Sequence, residues 1–116
     1  MLTDERLWRD CLHWRLVFKR VRNEGELMAG YGAPAKATVF LNAIGAELTN
    51  KALAFVVDET PAKQGLYIPG TDVPIVAPTA ILPDVWLILA HNYEDEIRAK
   101  IGSHPHVLVP FAQVWS

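Results

Sequence analysis

The apolar positions at the start of the chain follow the period of an α-helix. Spacings of 4, 3, 4 and 3 residues separate the apolar side chains Leu7, Cys11, Trp14, Phe18 and Val21. Such spacing places them on one helical face. We expect a helix over residues 4–22, within a linker segment of residues 1–23. Because this apolar face is wide, we expect it to pack on its own domain or, in part, to bind a partner domain or a second copy of the chain.

Short apolar runs alternate with helical patterns along the rest of the chain. The runs predict strands at residues 27–29, 53–57, 85–89 and 107–109, with a further short strand within 73–76. Helical patterns lie at 35–44, where Gly45 ends the helix, and at 92–100. Such alternation is typical of parallel βαβ units with right-handed crossovers. We therefore predict an α/β fold, a Rossmann-like three-layer parallel sheet of about five strands in the order 3-2-1-4-5, with an extra N-terminal helix.

Composition and charge narrow the class of protein. The 116 residues suit one domain, which we place at residues 24–116, and 51% apolar with 21% charged residues is typical of a globular chain. The net charge of −2 argues against nucleic acid as a partner. No apolar run approaches the roughly 20 residues of a membrane span, and the single cysteine, Cys11, cannot form an internal disulfide. We expect a cytoplasmic protein that uses no membrane and, because no metal-ligand spacing is present, no metal.

A glycine loop joins the first predicted strand to the next helix. Its sequence, Gly30-Tyr31-Gly32-Ala33-Pro34-Ala35, reads G-x-G-x-x-A at the position of the dinucleotide-binding fingerprint. Gly30 would allow the tight turn, Gly32 would let a ligand approach the backbone, and Pro34 suits the first helical position. The helix amides would then face an anion, and Lys36 would add a positive charge. The alternative is a structural turn that binds nothing.

An acidic residue, Asp58, closes the second predicted strand. Dinucleotide enzymes use an acid there for a ribose hydroxyl about 20 residues after the glycine loop. Asp58 follows Gly30 by 28 residues. A loop acid that forms an Asx-turn ahead of Thr60-Pro61 is an equally consistent interpretation. Both interpretations remain open from the sequence.

The glycine loop is the first of an ordered series of segments that extends over residues 24–110. The others are Leu41-Asn42, Val56-Val57-Asp58, Lys63-Gln64-Gly65, the run from Pro69 to Ile75, and Ala90-His91-Asn92. Together they resemble the C-terminal domain of SAM-dependent C-methyltransferases, which include enzymes acting on nucleotide-linked deoxysugars. The resemblance implies an enzyme of three parts: a zinc-binding N-terminal segment, a middle SAM-binding domain with the catalytic residues, and a Rossmann-like C-terminal domain that closes over the substrate. Only the last part matches here, so SAM and catalysis would come from a separate domain, and the chain alone would transfer no methyl group.

The resemblance also implies which residues contact the substrate, a small anionic molecule. The candidates are Gly30, Tyr31, Gly32, Ala33, Pro34, Lys36, Asp58, Lys63, Gln64, Gly70, Thr71, His91 and Asn92. Lys36 and Lys63 would meet a phosphate or another anion, and Tyr31 would stack on a ring. Asn92 would orient a hydroxyl or carbonyl group. His91 would be an acid–base group or, alternatively, a hydrogen-bonded structural residue.

Two positions depart from the family's usual pattern. Ala37 stands where a glycine is expected after the lysine, and His91 stands in place of a tryptophan before Asn92.

Two other functions remain open from the sequence. The first alternative function is a stand-alone module that binds NAD or a sugar nucleotide. The second is an interaction domain with a vestigial loop, whose function resides on the first helix and includes formation of a homodimer.

Overall fold

The computed structural model describes residues 4–78, 82–102 and 106–110, which form one all-parallel sheet flanked by helices. Its strands are β1 (Met28–Tyr31), β2 (Leu53–Val57), β3 (Ile75–Val76), β4 (Val85–Ile88) and β5 (Val107–Leu108). Their order is β3-β2-β1-β4-β5, and β1 lies at the centre between β2 and β4. The predicted α/β class and strand order are therefore confirmed.

The helices include one that the sequence did not predict. They are α1 (Asp4–Asn23), α2 (Ala35–Ile44), α3 (Ala46–Ala52) and α4 (Glu94–Ile101). Gly45, with φ of +108°, ends α2 as expected, but Thr49 donates its amide to the Gly45 carbonyl at 2.9 Å, which starts α3 at once. The buried Thr49 hydroxyl also donates to the Leu41 carbonyl at 2.9 Å, and this bond ties α3 to α2. The helix predicted at 92–100 starts later, at Glu94, because residues His91–Tyr93 form a 3-10 turn.

The two faces of the sheet are covered unequally. The larger core packs α1, α2 and α3 on one face, with buried side chains that include Phe18, Leu41, Leu48 and Leu87. The smaller core packs α4 on the other face, mainly through Ile97. The carboxyl ends of β1, β2 and β4 remain uncovered by these helices, and the candidate site lies there.

Helix α1 packs on its own domain through one face only. Phe18 is fully buried, and both Trp14 and Phe18 contact Phe40 of α2 edge-on, with ring centroids 5.9 and 6.2 Å apart. Leu12 and Leu16, one turn apart, are instead 47% and 66% exposed. The predicted wide apolar stripe is therefore only partly used by the domain, and the side chain of Leu7 lies outside the described part of the chain.

The proline-containing segment after β2 folds back to cover the edge of the sheet. Gly65 donates its amide to the Ile75 carbonyl at 2.9 Å, and Ile75 donates to the Leu66 carbonyl at 2.8 Å. This antiparallel arm protects the outer edge of β3, which would otherwise expose unpaired backbone groups. Among the described residues, no helix combines the length and apolar character needed to cross a bilayer.

Candidate functional site

An open cleft of about 390 Å³ lies at the carboxyl ends of the central strands. This volume falls within the roughly 300–1,000 Å³ typical of small-molecule sites. The loops after β1, β2 and β4 and one face of α4 contribute the lining residues Tyr31, Gly32, Ala33, Pro34, Asp58, Glu59, Thr60, Lys63, Ala90, Tyr93, Glu96, Ile97 and Lys100. Ligands of open parallel sheets bind at this edge.

The two glycines of the G-x-G-x-x-A segment are required for reasons other than those predicted from the sequence. Gly30 lies inside β1, where a Cβ atom would stand 3.0 Å from both the Leu89 and the Val56 side chains. Its small size therefore serves packing rather than the turn. Gly32 has φ of +90°, and a Cβ atom there would lie 2.4 Å from the Cβ of Ala90. The close approach at Gly32 is thus made by the chain's own segment after β4. Pro34 immediately precedes the first residue of α2.

Asp58 binds the glycine loop with its carboxylate. One carboxylate oxygen accepts the Ala33 amide and the other accepts the Thr60 amide, each at 2.8 Å. The second bond is an Asx-turn, the alternative that the sequence left open. With only 8% of its surface exposed, Asp58 connects the loop after β2 to the loop after β1.

The electrostatics of the loop favour an ionised Asp58. Burial raises the pKa of the carboxyl group, but the hydrogen bonds from Thr60 and Ala33 and the charge of Lys63 outweigh it, so that the pKa lies below its usual value. The Lys63 ammonium group donates a hydrogen bond to the Ala33 carbonyl at 2.9 Å. The Gln64 side-chain amide donates one to the backbone carbonyl of Asp58, also at 2.9 Å. An anion brought to the loop would therefore meet a fixed negative charge.

A second polar cluster crosses the cleft from β1 to α4. The Tyr31 hydroxyl donates to the Glu59 carboxylate at 3.2 Å, and the same carboxylate forms an ion pair with Lys100. Burial raises the pKa of Tyr31, and the neighbouring Glu59 charge raises it further. The hydrogen bond from Lys100 lowers the pKa of Glu59. At neutral pH the cluster thus presents a hydroxyl, a carboxylate and an ammonium group to the same cavity.

Several candidates from the sequence lie outside the residues that line the cleft. Lys36 is exposed in the first turn of α2. Gly70 packs closely on Asn42 of α2, where a Cβ atom would lie 2.3 Å from the Asn42 side-chain oxygen, and the Thr71 hydroxyl donates to the Ile68 carbonyl at 2.9 Å. His91 and Asn92 lie between two lining residues, Ala90 and Tyr93, but are not among the residues that line the cleft. The structure therefore brings together Tyr31, Gly32, Ala33, Pro34, Asp58 and Lys63, with Gln64 held behind Asp58.

Comparison with known proteins identifies the family of this domain. The family of C-methyltransferase C-terminal domains matches residues 9–106, which is most of the chain. The chain belongs to this family. The C-methyltransferase NovU of Streptomyces niveus is 40% identical over 86 residues, covering 72% of this chain and 20% of NovU. The chain therefore spans about a fifth of the length of this relative.

This C-methyltransferase C-terminal domain also has cleft residues that the sequence reasoning missed. Helix α4 and the turn before it contribute Tyr93, Glu96, Ile97 and Lys100, and the loop after β2 contributes Glu59. The four residues from α4 and its preceding turn are spaced by 3, 1 and 3 positions, which places them on one helical face. The sequence could have identified them if this face had been expected to lie beside the carboxyl end of β1. Among the described residues, no three His, Cys, Asp or Glu side chains converge as metal ligands.

Proposed function

We propose that this domain forms the substrate-side wall of a C-methyltransferase, and that a separate domain supplies SAM and the catalytic residues. The observation that carries the proposal is the cleft at the carboxyl edge of β1, β2 and β4, where hydroxyl, carboxylate and ammonium groups converge beside an apolar patch. A site of this kind orients a hydroxylated small molecule, because each polar group can donate to or accept from a ligand hydroxyl.

The charges of the cleft favour the neutral part of an activated substrate. Three carboxylates line it, those of Asp58, Glu59 and Glu96, against the two ammonium groups of Lys63 and Lys100. This balance disfavours a diphosphate inside the cleft and suits a deoxysugar ring or another hydroxyl-bearing acceptor. We propose that the anionic part of the substrate lies outside the cleft, on the side of α2 where Lys36 is exposed.

The apolar side of the cleft suits a ring. Two apolar lining residues come from the turn before α4 and from α4 itself: Tyr93 is 63% exposed, and Ile97 is buried. An aromatic side chain with a polar tip stacks on the apolar face of a sugar or a base while its hydroxyl stays hydrated. Tyr93 is therefore a better candidate for stacking than Tyr31, whose ring is buried against Trp86 with centroids 5.6 Å apart.

The glycine loop does not fit a dinucleotide or SAM held in the usual Rossmann manner. Phosphate-binding loops direct their amides at the ligand, whereas here the Ala33 amide donates to the ionised Asp58. The space above Gly32 is occupied by Ala90. These contacts support the proposal that the cofactor of the complete enzyme binds to another domain, and they weigh against a stand-alone NAD module.

We propose that the unused face of α1 contacts that other domain. Leu12 and Leu16 form an exposed apolar pair on the element at which the family match begins. The chain covers only a fifth of NovU, so most of such an enzyme lies in other domains. An interaction domain that pairs with a second copy is the alternative use of the same face. Sedimentation velocity of the wild-type chain and of Leu16→Glu distinguishes contact with another domain from pairing with a second copy. A homodimer would dissociate on this substitution, whereas a chain without a homodimer would sediment unchanged.

Calorimetric titration of the chain with a nucleotide-linked deoxysugar, SAM and NAD tests the proposed function. We expect the sugar nucleotide alone to bind, and Tyr31→Phe to weaken it about fivefold, the loss of one hydrogen bond worth about 1 kcal/mol. Tyr67→Phe is the matched control, because Tyr67 is exposed outside the cleft. Strong binding of SAM or NAD would contradict the proposal. Absence of all binding, together with dimerisation, would favour the interaction domain.

A further inference from the structure

A second concave surface lies near the amino ends of the strands, whereas the cleft lies at their carboxyl ends. It is a groove of about 380 Å³ between the C-terminal half of α1 and the junction of α2 with α3. Helix α2 begins at the carboxyl end of β1 and therefore ends at the amino edge, and α3 leads directly into the first residue of β2. The groove is thus separated from the substrate cleft by the length of the strands, and the two share no lining residue.

The groove is strongly basic in a chain whose net charge is −2. Its charged lining residues are Arg15, Lys19, Arg22 and Lys51 against a single acid, Glu47. Lys51 and Glu47 pair with each other at 3.1 Å. The three cations of α1 therefore face the groove with no unpaired carboxylate among the described residues that line it.

The stability of the fold explains only one part of this arrangement, the contact of Arg15 with the end of α2. Arg15, Lys19 and Arg22 follow one another at spacings of 4 and 3 on one helical face, where like charges repel. The helix dipole favours cations only within the last turn, which includes Arg22 but not Arg15. By contrast, Arg20, an exposed cation on the same helix, forms an ion pair with Glu24 at 3.0 Å.

A hydrogen bond holds the side chain of Arg15, one of the residues that line the groove. One nitrogen of its guanidinium donates to the Ile44 carbonyl at the end of α2, and a Cβ atom on Gly45 would lie 2.9 Å from the same nitrogen. A guanidinium has five N–H donors, so most of them remain to bind a ligand. An arginine that is held before the ligand arrives loses less side-chain entropy on binding.

We propose that this groove is a binding site for a chain of three or more phosphate groups, such as inorganic tripolyphosphate. Three cations on one wall match a multiply charged phosphate better than a single carboxylate, and arginine binds phosphate oxygens in bidentate geometry. The concave shape and small-molecule volume favour a compact ligand over an extended acidic protein segment. This site does not depend on the proposed function, because it lies on the other edge of the sheet.

Titration of the ¹⁵N-labelled chain with inorganic tripolyphosphate tests the site. We expect amide shifts at Lys19, Gly45 and Glu47 rather than at Gly32 and Thr60. The double variant Lys19→Gln/Arg22→Gln should raise the dissociation constant at least about tenfold, since two charge-assisted hydrogen bonds are lost. Both side chains are exposed, so the fold should persist, and circular dichroism checks this.

The matched control removes the same charge elsewhere. Arg20→Gln/Arg98→Gln changes two exposed arginines that already pair with Glu24 and Glu94 and do not line the groove. It should change the dissociation constant less than about twofold. Equal weakening by both double variants, amide shifts confined to the substrate cleft, or no shift at all would overturn the proposal. Tighter binding of octaglutamate than of tripolyphosphate would also overturn it, and would indicate an acidic protein partner.

Discussion

Replacing Asp58 with asparagine tests the loop architecture on which the candidate site depends. The carboxylate accepts the amides of Ala33 and Thr60, each at 2.8 Å, while 92% of its residue surface is buried. An asparagine side chain offers one acceptor oxygen, and its NH₂ group would face one of the two amide donors. One amide therefore loses its partner, and the other loses a charged acceptor.

The expected cost follows from these two contacts. Hydrogen bonds to charged groups contribute about 1.5–3 kcal/mol each, so Asp58→Asn should lower the free energy of unfolding by about 2–3 kcal/mol at neutral pH. For a chain of this length, this loss corresponds to about 10 °C in melting temperature. Urea unfolding followed by circular dichroism measures the loss. Asp72→Asn is the control, because Asp72 is exposed and accepts a side-chain bond at 3.3 Å from the neutral Asn50; it should cost less than about 0.5 kcal/mol.

The pH dependence gives a second, sharper criterion. The folded-state pKa of Asp58 is lowered, so its contribution to stability is present above the unfolded-state pKa of about 3.9. That contribution is lost as pH falls through the folded-state pKa. The difference between wild type and Asp58→Asn should therefore shrink as pH falls below about 4. A difference that stays constant down to about pH 2.5, or a cost at neutral pH no larger than that of the control, would refute the reasoning.

Two further predictions concern the glycine loop and the cluster that crosses the cleft. Gly32→Ala should destabilise the chain by at least about 2 kcal/mol more than Gly65→Ala. Both glycines have φ near +90°, but only at Gly32 would a Cβ atom contact Ala90. Urea unfolding of both variants measures the two losses of stability, and equal losses would contradict the prediction. Glu59→Gln should lower the pKa of Tyr31 toward its usual value, because the Glu59 charge raises it. The titration of the Tyr31 ring carbon by NMR measures that pKa, and an unchanged or higher value would contradict the proximity of the two groups.

The fold was predictable because its strands are short apolar runs separated by clear helical patterns. The run at residues 85–89 is apolar throughout, as a central parallel strand requires, and it became β4. Helix α3 was missed because its seven residues are too few to establish a period. In addition, its buried Thr49 is polar, so the bond to Leu41 that holds α3 in place leaves no hydrophobic signal.

The candidate site was only partly predictable, because its geometry depends on contacts between distant segments. The G-x-G-x-x-A pattern located the loop, but it could not distinguish Gly30, which is small for packing, from Gly32, which has positive φ. The sequence allowed Asp58 two roles, and only the three-dimensional structure places its carboxylate on the Ala33 amide. Lys100 lies 41 positions from Glu59, so their ion pair has no local sequence signal.

The most direct test of the central claim is a map of where an activated substrate binds. Amide shifts of the ¹⁵N-labelled chain are recorded during titration with a nucleotide-linked deoxysugar. The proposed substrate wall predicts that the largest shifts fall on Gly32, Glu59, Thr60 and Lys100, around the cleft. Shifts confined to the basic groove beside Arg15 and Lys19, or no shifts at saturating ligand, would contradict the assignment of this cleft as the substrate site.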